Sequence, residues 1–196
     1  MINIPQVTLF GVCWSGDSQV LERTQRVLRY CQGFMRAGKV ELFQPRLDSL
    51  MEYNRWMVHE MPKIIQSAFA WHVHDDGFPV RPNLWTPRFL HFDYIGAPWF
   101  DGIVGNEGFS IQSRKMLQIK STLPECNQAS DTYVCRHWRR WLELKGVRFA
   151  PQDIALKFST EDTGQELESF GFHGRNVQPR KLAEGWARIE AFERTL

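Results

Sequence analysis

The chain has 196 residues and a mass of 23.0 kDa, which is enough for one domain with a continuous core, predicted here to span residues 1–196. Hydrophobic residues make up 43% and charged residues 23%, and no apolar run reaches the roughly 18 to 20 residues of a transmembrane helix. This composition predicts a soluble globular protein without a transmembrane segment. The formal net charge of +2 is too small to indicate a nucleic-acid-binding protein.

The compartment is predicted from the first residues and from the cysteines. MINIPQVTLFGV has neither the basic start nor the small-residue cleavage site of a secretory signal, so we expect a cytoplasmic protein. The cysteines include no CxxC pair and no zinc-binding spacing, which predicts reduced thiols. They are Cys13, Cys31, Cys126 and Cys135.

The chain opens with a β-α-β pattern. An apolar run rich in β-forming residues predicts a buried strand over residues 6–13. Asp17 or Ser18 can cap a following helix, Gly38 lies at its expected end, and residues 39–45 predict a second strand. A right-handed crossover would make the two strands parallel, with ligands bound at their carboxyl ends.

The rest of the chain continues to alternate between helical and strand patterns. We predict a helix over 49–67 that is kinked or split at Pro62, a strand over 69–73, helices over 110–123 and 130–145, a strand over 147–151 and a terminal helix over 178–196. The alternation predicts the α/β class, with an α/β/α sandwich around a mainly parallel twisted sheet.

The string HDDG, residues 74–77, directly follows the strand predicted over 69–73. Asp76 is a candidate ligand for a Mg²⁺ or Mn²⁺ ion that bridges the phosphates of a nucleotide, while His74 or Asp75 contacts the ribose or a metal-bound water. The alternative is a solvated turn, because Asp-Gly is a common turn pair.

The string GNEGFS, residues 105–110, places two glycines with Asn106 and Glu107 before a predicted helix. Backbone N–H groups and the helix N-terminus could bind an anion or sugar hydroxyls there. The alternative is an ordinary turn into the helix, with Ser110 as its cap.

Two further residues are candidates for chemistry. Asp131 begins an amphipathic helix, where it could act as a general base or simply cap the helix. His173 lies between Phe172 and Gly174 in an aromatic segment, where a lone histidine is either structural or a metal ligand. The same helix as Asp131 carries a basic cluster that is either a solvated face or a contact for phosphate: Arg136, His137, Arg139 and Arg140.

Several strings in order resemble a family of small glycosyltransferase-like domains of the GT-A type. They are YNRWMVHEMPKII, HDDGF, DYIGAPW, VGNEGFSIQSRKML, SDTYV, VRFAPQDIALKFSTE and FGFHG, within residues 50–174. The most specific part is DYIGAPW followed by GN-x-GFS-x-x-S-R-K. The resemblance implies a single GT-A-like domain that binds a nucleotide sugar.

The resemblance also implies roles for particular residues. Asp76 falls on the key metal-binding carboxylate, His173 would complete the metal shell, and Asp131 would be the catalytic base. His74 stands where a glutamine is usual and Glu107 where a glycine is usual. The expected donor-binding residues are Phe10, Gly11, Val12 and Ser15 at the end of the first strand, together with His74, Asp75, Asn106, Glu107 and Gly108 within the resembling segment. The expected acceptor-binding residues are Trp99 and Phe109.

The expected function is therefore a metal-dependent transfer of a sugar, from a UDP-sugar or another nucleotide sugar to an acceptor hydroxyl, by an inverting displacement. Mn²⁺ or Mg²⁺ is the expected ion. A modified base in viral DNA, a glycan, a lipid or a protein would each suit as acceptor. The alternative is a non-catalytic module on the same scaffold that binds a nucleotide sugar or a nucleic acid. The sequence leaves the donor, the acceptor and the oligomeric state open.

Overall fold

A computed structural model describes residues 1–161 and 168–196 of the chain. Its strands are β1 (Ile2–Val12), β2 (Met35–Phe43), β3 (Phe69–His72), β4 (Gly77–Pro79), β5 (Tyr94–Ile95), β6 (Ser110–Ser113), β7 (Ser159–Thr160) and β8 (Gly171–His173). Its α-helices are α1 (Ser18–Phe34), α2 (Leu50–His59), α3 (Met61–Ile64), α4 (Arg114–Lys120), α5 (Ser130–Thr132), α6 (Arg139–Leu144), α7 (Gln152–Phe158) and α8 (Pro179–Glu193). Short 3₁₀ turns cover Pro82–Leu84 and Pro87–His91, and a π-helical turn covers Tyr133–His137.

The main sheet has the strand order β2-β1-β3-β6-β5. β1 is parallel to both β2 and β3, whereas β6 is antiparallel to both β3 and β5. Because only β6 is reversed, the other strands of this sheet all run in one direction. The predicted α/β class with a mainly parallel sheet is confirmed.

A second, three-stranded sheet has the order β4-β8-β7. β4 is antiparallel to β8, with Gly77 opposite His173, and β7 is parallel to β8. The β4–β8 pairing joins two strings that are nearly a hundred residues apart in the sequence. It therefore brings HDDG and FGFHG to one place.

The opening β-α-β unit forms as predicted, except at the end of its helix. Asp17 caps α1, accepting hydrogen bonds from the backbone N–H groups of Gln19 at 2.8 Å and Val20 at 3.3 Å. Gly38 does not end this helix, because it lies inside β2. A Cβ atom at Gly38 would come within 2.0 Å of the carbonyl oxygen of Pro5, so the glycine permits close approach of two strands.

Two predicted elements differ from the structure. Residues Ser110–Ser113 form β6 rather than the first turn of a helix, because they pair with β3 on one side and with β5 on the other. The helix begins only after Ser113, whose hydroxyl caps α4 by accepting from the N–H of Met116 at 3.1 Å. The strand predicted over 147–151 is reduced to a single bridge, between Tyr94 and Phe149. These residues lead into α7, a helix that was not predicted.

The two predicted helices on either side of these elements are present but interrupted. The helix predicted over 49–67 is split into α2 and α3 at Glu60, with Pro62 in the first turn of α3. The one predicted over 130–145 consists of α5, the π-helical turn and α6, and it ends before Gly146, whose φ is +81°.

An aromatic cluster fills the core between the two sheets. Trp71 of β3 packs against Phe109, Phe158 and Phe170, and the rings of Phe109 and Phe158 stack with centroids 4.7 Å apart. Such rings bury large apolar areas and prefer offset or tilted packing. The cysteines predicted to be reduced are free thiols, and all of them are buried. Within the described ranges, no helix combines the length and apolar character needed to cross a bilayer.

Candidate active site

Three side chains with metal-binding atoms converge beside the β4–β8 pair. His74, Asp76 and His173 each offer an atom, and these atoms all lie within 4.8 Å of one another. The Oδ1 atom of Asp76 is 2.6 Å from Nδ1 of His74 and 3.7 Å from Nε2 of His173. All three residues are partly exposed, so a ligand could reach them.

The imidazole of His173 fits closely against two glycines. A Cβ atom at Gly108 would lie 2.0 Å from Nε2 of His173, and one at Gly77 would lie 2.6 Å from its Cδ2. Any larger residue at either position would displace the ring. The glycines of HDDG and GNEGFS are therefore required for the close packing that brings the three strings together.

The other nitrogen of His173 has polar neighbours of its own. Nδ1 lies 3.0 Å from Oε1 of Glu161 and 2.9 Å from Nδ2 of Asn106. Metal-binding histidines commonly donate their second N–H to a carboxylate, which fixes the tautomer and frees the other lone pair. Glu161 would thus hold the proton on Nδ1 and leave Nε2 facing Asp76, with the Asn106 amide turned so that its oxygen rather than its NH₂ group faces that N–H. Asn106 has a left-handed φ of 59°, a conformation that asparagine tolerates.

The ligand atoms of this cluster suit a divalent ion. Carboxylate oxygen and imidazole nitrogen together fit Mn²⁺ well, and Mg²⁺ would rely on the carboxylate and on phosphate or water oxygens. Among the described residues, buried atoms without a hydrogen-bond partner include Oδ1 of Asn106 and Oε2 of Glu161, both beside His173. Buried polar atoms normally have a partner, so these two agree with a site that binds a polar ligand.

His74 is held between two carboxylates. Its Nδ1 lies 2.6 Å from Asp76 and 3.1 Å from Asp75. Burial acts to lower the pKa of His74, but the hydrogen bonds and charges of Asp75 and Asp76 outweigh it and raise the pKa to about 9. In this arrangement His74 donates to Asp76 through Nδ1, so Asp76 and His173 are the better candidates for direct metal ligands.

Asp75 lies deeper than its neighbours and is only 2% exposed. Its Oδ2 atom accepts hydrogen bonds from Arg23 on α1 and from Arg175 after β8, each at 2.7 Å. The backbone N–H of Arg175 also donates to Asp76 at 3.0 Å. Asp75 therefore links α1 to the segment that follows His173.

Asp131 lies in α5, and within residues 1–161 and 168–196 its carboxylate is hydrogen-bonded through one oxygen only, to Thr132. Its Oδ1 accepts from the N–H of Thr132 at 2.6 Å, and Ala129, not Asp131, is the N-cap of the helix. Burial raises the pKa of Asp131, the charges of Glu107 and Glu161 raise it further, and the hydrogen bond from Thr132 and the charge of His173 only partly offset them. The carboxylate therefore lies within electrostatic reach of the other site residues, and its raised pKa suits a general base.

Glu107 has a different role from the donor contact predicted for it. Its carboxylate points inward and accepts from Lys120 at 2.9 Å, from Gln112 at 3.0 Å and from Ser130 at 2.5 Å. Burial acts to raise the pKa of Glu107, but Lys120 and the other hydrogen bonds outweigh it and lower the pKa. Three groups inside the protein thus engage the carboxylate, and the donor contact of Glu107 stays a prediction.

Several other predicted residues do not present their side chains to the cleft. Phe10 and Val12 are buried in a cluster with α2 and α3, and Gly11 faces Thr24 of α1. Phe109 is 0% exposed in the aromatic core, so its side chain cannot bind an acceptor as predicted. The pattern that indicated these roles, a strand end and a glycine-rich loop, does not fix which way each side chain points.

The remaining predicted residues do lie at the surface. Ser15 is exposed just beyond β1. Trp99 is partly exposed and packs over Gly105, where a Cβ atom would lie 2.0 Å from its ring. The guanidinium of Arg136 lies 4.3 Å from the ring of Trp99 and forms an ion pair with Asp101 at 2.6 Å.

The basic cluster is mostly engaged within the protein. Besides the contacts of Arg136, Arg139 pairs with Glu143 at 3.0 Å and donates to the carbonyl oxygen of Val104 at 2.9 Å. These contacts favour the structural interpretation of the two arginines over phosphate binding.

The sequence profile of a protein family matches residues 39–173, which contain every motif described above except the first strand and its helix. The family is described as a protein of unknown function, DUF5672. The chain belongs to this family. No curated protein matches this DUF5672 chain.

A solved structure shares the fold of the DUF5672 chain. It is the crystal structure of a glycosyltransferase involved in the glycosylation of the major capsid of PBCV-1. The two are 14% identical with a TM-score of 0.52, and the match covers 95% of this chain and 98% of the other. At this identity the similarity shows that the two chains share a fold.

Several residues of this DUF5672 site were missed by the sequence analysis. Tyr53 of α2 stacks on Trp14 with ring centroids 5.7 Å apart. Burial raises the pKa of Tyr53, and the charges of Glu107, Asp131 and Asp76 raise it further. Tyr53 lies within the helix predicted over 49–67, and the helical pattern does not mark it as a site residue. Arg23, Glu161 and Arg175 were missed because no local pattern marks them.

Proposed function

We propose that this protein is a metal-dependent glycosyltransferase that moves a sugar from a nucleotide sugar to an acceptor hydroxyl. The observation that carries the proposal is the convergence of Asp76 and His173, 3.7 Å apart and backed by Glu161, on a glycosyltransferase-like fold. The distant structural neighbour is itself a glycosyltransferase, which supports the class of reaction. We further propose that residues 1–196 form one domain, because one hydrophobic core contains residues of both sheets.

Asp76 and His173 would hold the ion, Mn²⁺ or Mg²⁺. A bound divalent ion would stabilise the negative charge of the departing nucleoside diphosphate. Glu161 would orient His173 through Nδ1, and His74 would orient Asp76 through its hydrogen bond of 2.6 Å. The partly buried cleft would limit the access of water to the donor.

Asp131 would act as the general base. Its raised pKa makes it a stronger base than an ordinary aspartate. The carboxylate would take the proton of the acceptor hydroxyl as the oxygen attacks the sugar carbon, and a single displacement of this kind inverts the configuration. Trp99, on the loop that packs over Gly105, would contribute to the acceptor side.

The nucleoside of the donor would bind near the carboxyl end of β1. Trp14 and Tyr53 form a stacked, partly exposed aromatic pair there, and Ser15 is exposed beside it. Such a pair offers a flat apolar surface to a base or a ribose. We propose a UDP-sugar as the donor to test first.

The proposal is tested by thermal unfolding in the presence of nucleotide sugars. UDP, GDP, CDP, ADP and dTDP sugars would each be added with Mn²⁺, with Mg²⁺ or with a chelator. A donor at about 100 times its dissociation constant stabilises the fold by about 2.7 kcal/mol, which raises Tm by several degrees. We expect one donor class to raise Tm only with metal. Cooperative unfolding with no shift for any donor would contradict the proposal.

Transfer itself is tested with the donor found in that screen. Acceptor candidates are glycans, lipids, proteins and DNA that carries hydroxymethylated bases. Release of nucleoside diphosphate that increases with one acceptor would support a transferase. Tight donor binding with neither transfer nor hydrolysis would instead indicate a non-catalytic binding module.

A further inference from the structure

Two arginines share one buried carboxylate oxygen beside the candidate metal site. Nε of Arg23 and one terminal nitrogen of Arg175 each lie 2.7 Å from Oδ2 of Asp75, whose side chain is 3% exposed. The other oxygen of Asp75 lies 3.1 Å from His74. The three cationic groups are thus fixed around a single carboxylate.

Most donors of the two guanidinium groups remain available. Each guanidinium has five N–H groups, and within the described residues each of these two makes only its one bond to Asp75. The side chain of Arg23 is 28% exposed and that of Arg175 is 46% exposed, so an anion from solvent can reach both.

The two arginines lie beside the candidate metal cluster. Asp75 precedes Asp76 in the chain, and the backbone N–H of Arg175 donates to Oδ2 of Asp76 at 3.0 Å. The guanidinium groups therefore border the cluster of His74, Asp76 and His173. An anion bound to them would lie next to an ion held by Asp76.

A second arginine on α1 shows what a purely structural pair looks like in this protein. Arg26 binds Glu193 of α8 through Nε and one terminal nitrogen, at 2.9 and 2.8 Å, and uses both carboxylate oxygens. That bidentate pair satisfies both partners and joins two helices. Arg23 and Arg175 instead divide one oxygen between them, so neither fork is used in full.

We propose that Arg23 and Arg175 form a phosphate-binding pair that contacts the diphosphate of the donor. Asp75 is the positioning residue that holds both guanidinium groups toward the metal site. Guanidinium forks bind phosphate oxygens in a bidentate manner, which matches the free donors. The assignment of the anion to a nucleoside diphosphate rests on the proposed function, whereas the assignment of the arginines rests on their own geometry.

The test uses inorganic pyrophosphate, with a chelator present, as a probe that contains only the phosphate groups. Its affinity for the full chain would be measured by calorimetry for the wild type, R23Q and R175Q. We expect wild-type binding that weakens with salt, and a loss of about tenfold or more in each variant, because each removes charge-assisted hydrogen bonds. R26Q, on the same helix but paired with Glu193, is the matched control and should bind like the wild type.

Further measurements separate this proposal from a loss of folding and from the proposed function. The Tm of each variant without ligand reports its stability. R175K keeps the positive charge but loses the planar, bidentate guanidinium group, so it should bind pyrophosphate more weakly than the wild type. If R23Q, R175Q and R26Q all bind pyrophosphate like the wild type, the arginine pair is not the phosphate site. If pyrophosphate binding needs the arginines but no nucleotide sugar binds with or without metal, the pair stands and the glycosyltransferase proposal fails. If a nucleotide sugar binds equally to the wild type and R175Q, the arginine-pair proposal fails and the glycosyltransferase proposal stands.

Discussion

The cluster around Asp76 and the cluster around Glu107 are both built on carboxylates, but they are completed in different ways. Glu107 has every partner it needs from the protein: Lys120, Gln112 and Ser130. Asp76 faces two imidazoles across a partly exposed cleft, with unpartnered polar atoms close by. The saturated cluster around Glu107 therefore stabilises the site, whereas the unsaturated cluster around Asp76 is the one able to bind a ligand.

Asp131 connects the two clusters. It follows Ser130, whose hydroxyl donates to Glu107 at 2.5 Å, and its own carboxylate is exposed to the charges of Glu107 and Glu161. The pKa of Glu107 is lowered while that of Asp131 is raised. Two carboxylates whose environments shift their pKa values in opposite directions commonly have different roles. Here Glu107 would position the helix start and Asp131 would carry out the chemistry.

The largest effect is expected when the unsaturated cluster loses its charge. In D76N the amide cannot replace the carboxylate as a metal ligand, so turnover should fall about a thousandfold or more, because a bound ion contributes several kcal/mol to the transition state. Tm without ligand should remain close to that of the wild type. D153N, at an exposed position on α7, is the matched control. Metal-dependent turnover within tenfold of the wild type would refute the assignment of Asp76.

The next effect concerns the base. D131N should lower the rate of transfer by about a hundredfold to ten-thousandfold, the range expected for a positioned general base, while donor affinity changes little. Rate and donor affinity would be measured separately, by product formation and by calorimetry. Equal losses in both, together with a lower Tm, would show instead that Asp131 acts as part of the helix start.

Removing the charge of the saturated cluster should act mainly on stability. E107Q leaves Lys120, which is 0% exposed, without its ion-pair partner, and such a loss costs about 3–5 kcal/mol in the free energy of unfolding. Denaturant unfolding would measure this cost. The double variant E107Q/K120M removes both charges and should recover most of it. If E107Q alone unfolds like the wild type, the ion pair does not stabilise the fold.

The smallest effect is a shift in the pH dependence of turnover. Because the base must be ionised, the rate should decline as pH falls through the raised pKa of Asp131, above the ordinary value of about 3.9. The charge of Glu107 raises this pKa, so the acid limb of E107Q/K120M should move to lower pH. Profiles of the rate against pH for the wild type and the double variant would reveal the shift. A move to higher pH would contradict the coupling between Glu107 and Asp131.

Local signals predicted much of the fold. The cap at Asp17 and the break near Pro62 are short-range features, and the structure has both of them. The helix predicted over 110–123 was wrong in its first turn because strand pairing of Ser110–Ser113 depends on two distant partners. Tertiary hydrogen bonds override local propensity in such cases.

The sequence by itself determined the α/β class, the opening β-α-β unit and the polar strings from which the site is assembled. Only the tertiary structure decided which members of those strings share a cleft. Pairing of β4 with β8 brings His173 to Asp76, and packing turns Phe109 and the carboxylate of Glu107 inward, whereas Asp131 stays partly exposed. The physical reason is that burial, charge and hydrogen bonding act through space, so side-chain direction and pKa depend on neighbours that are far apart along the chain.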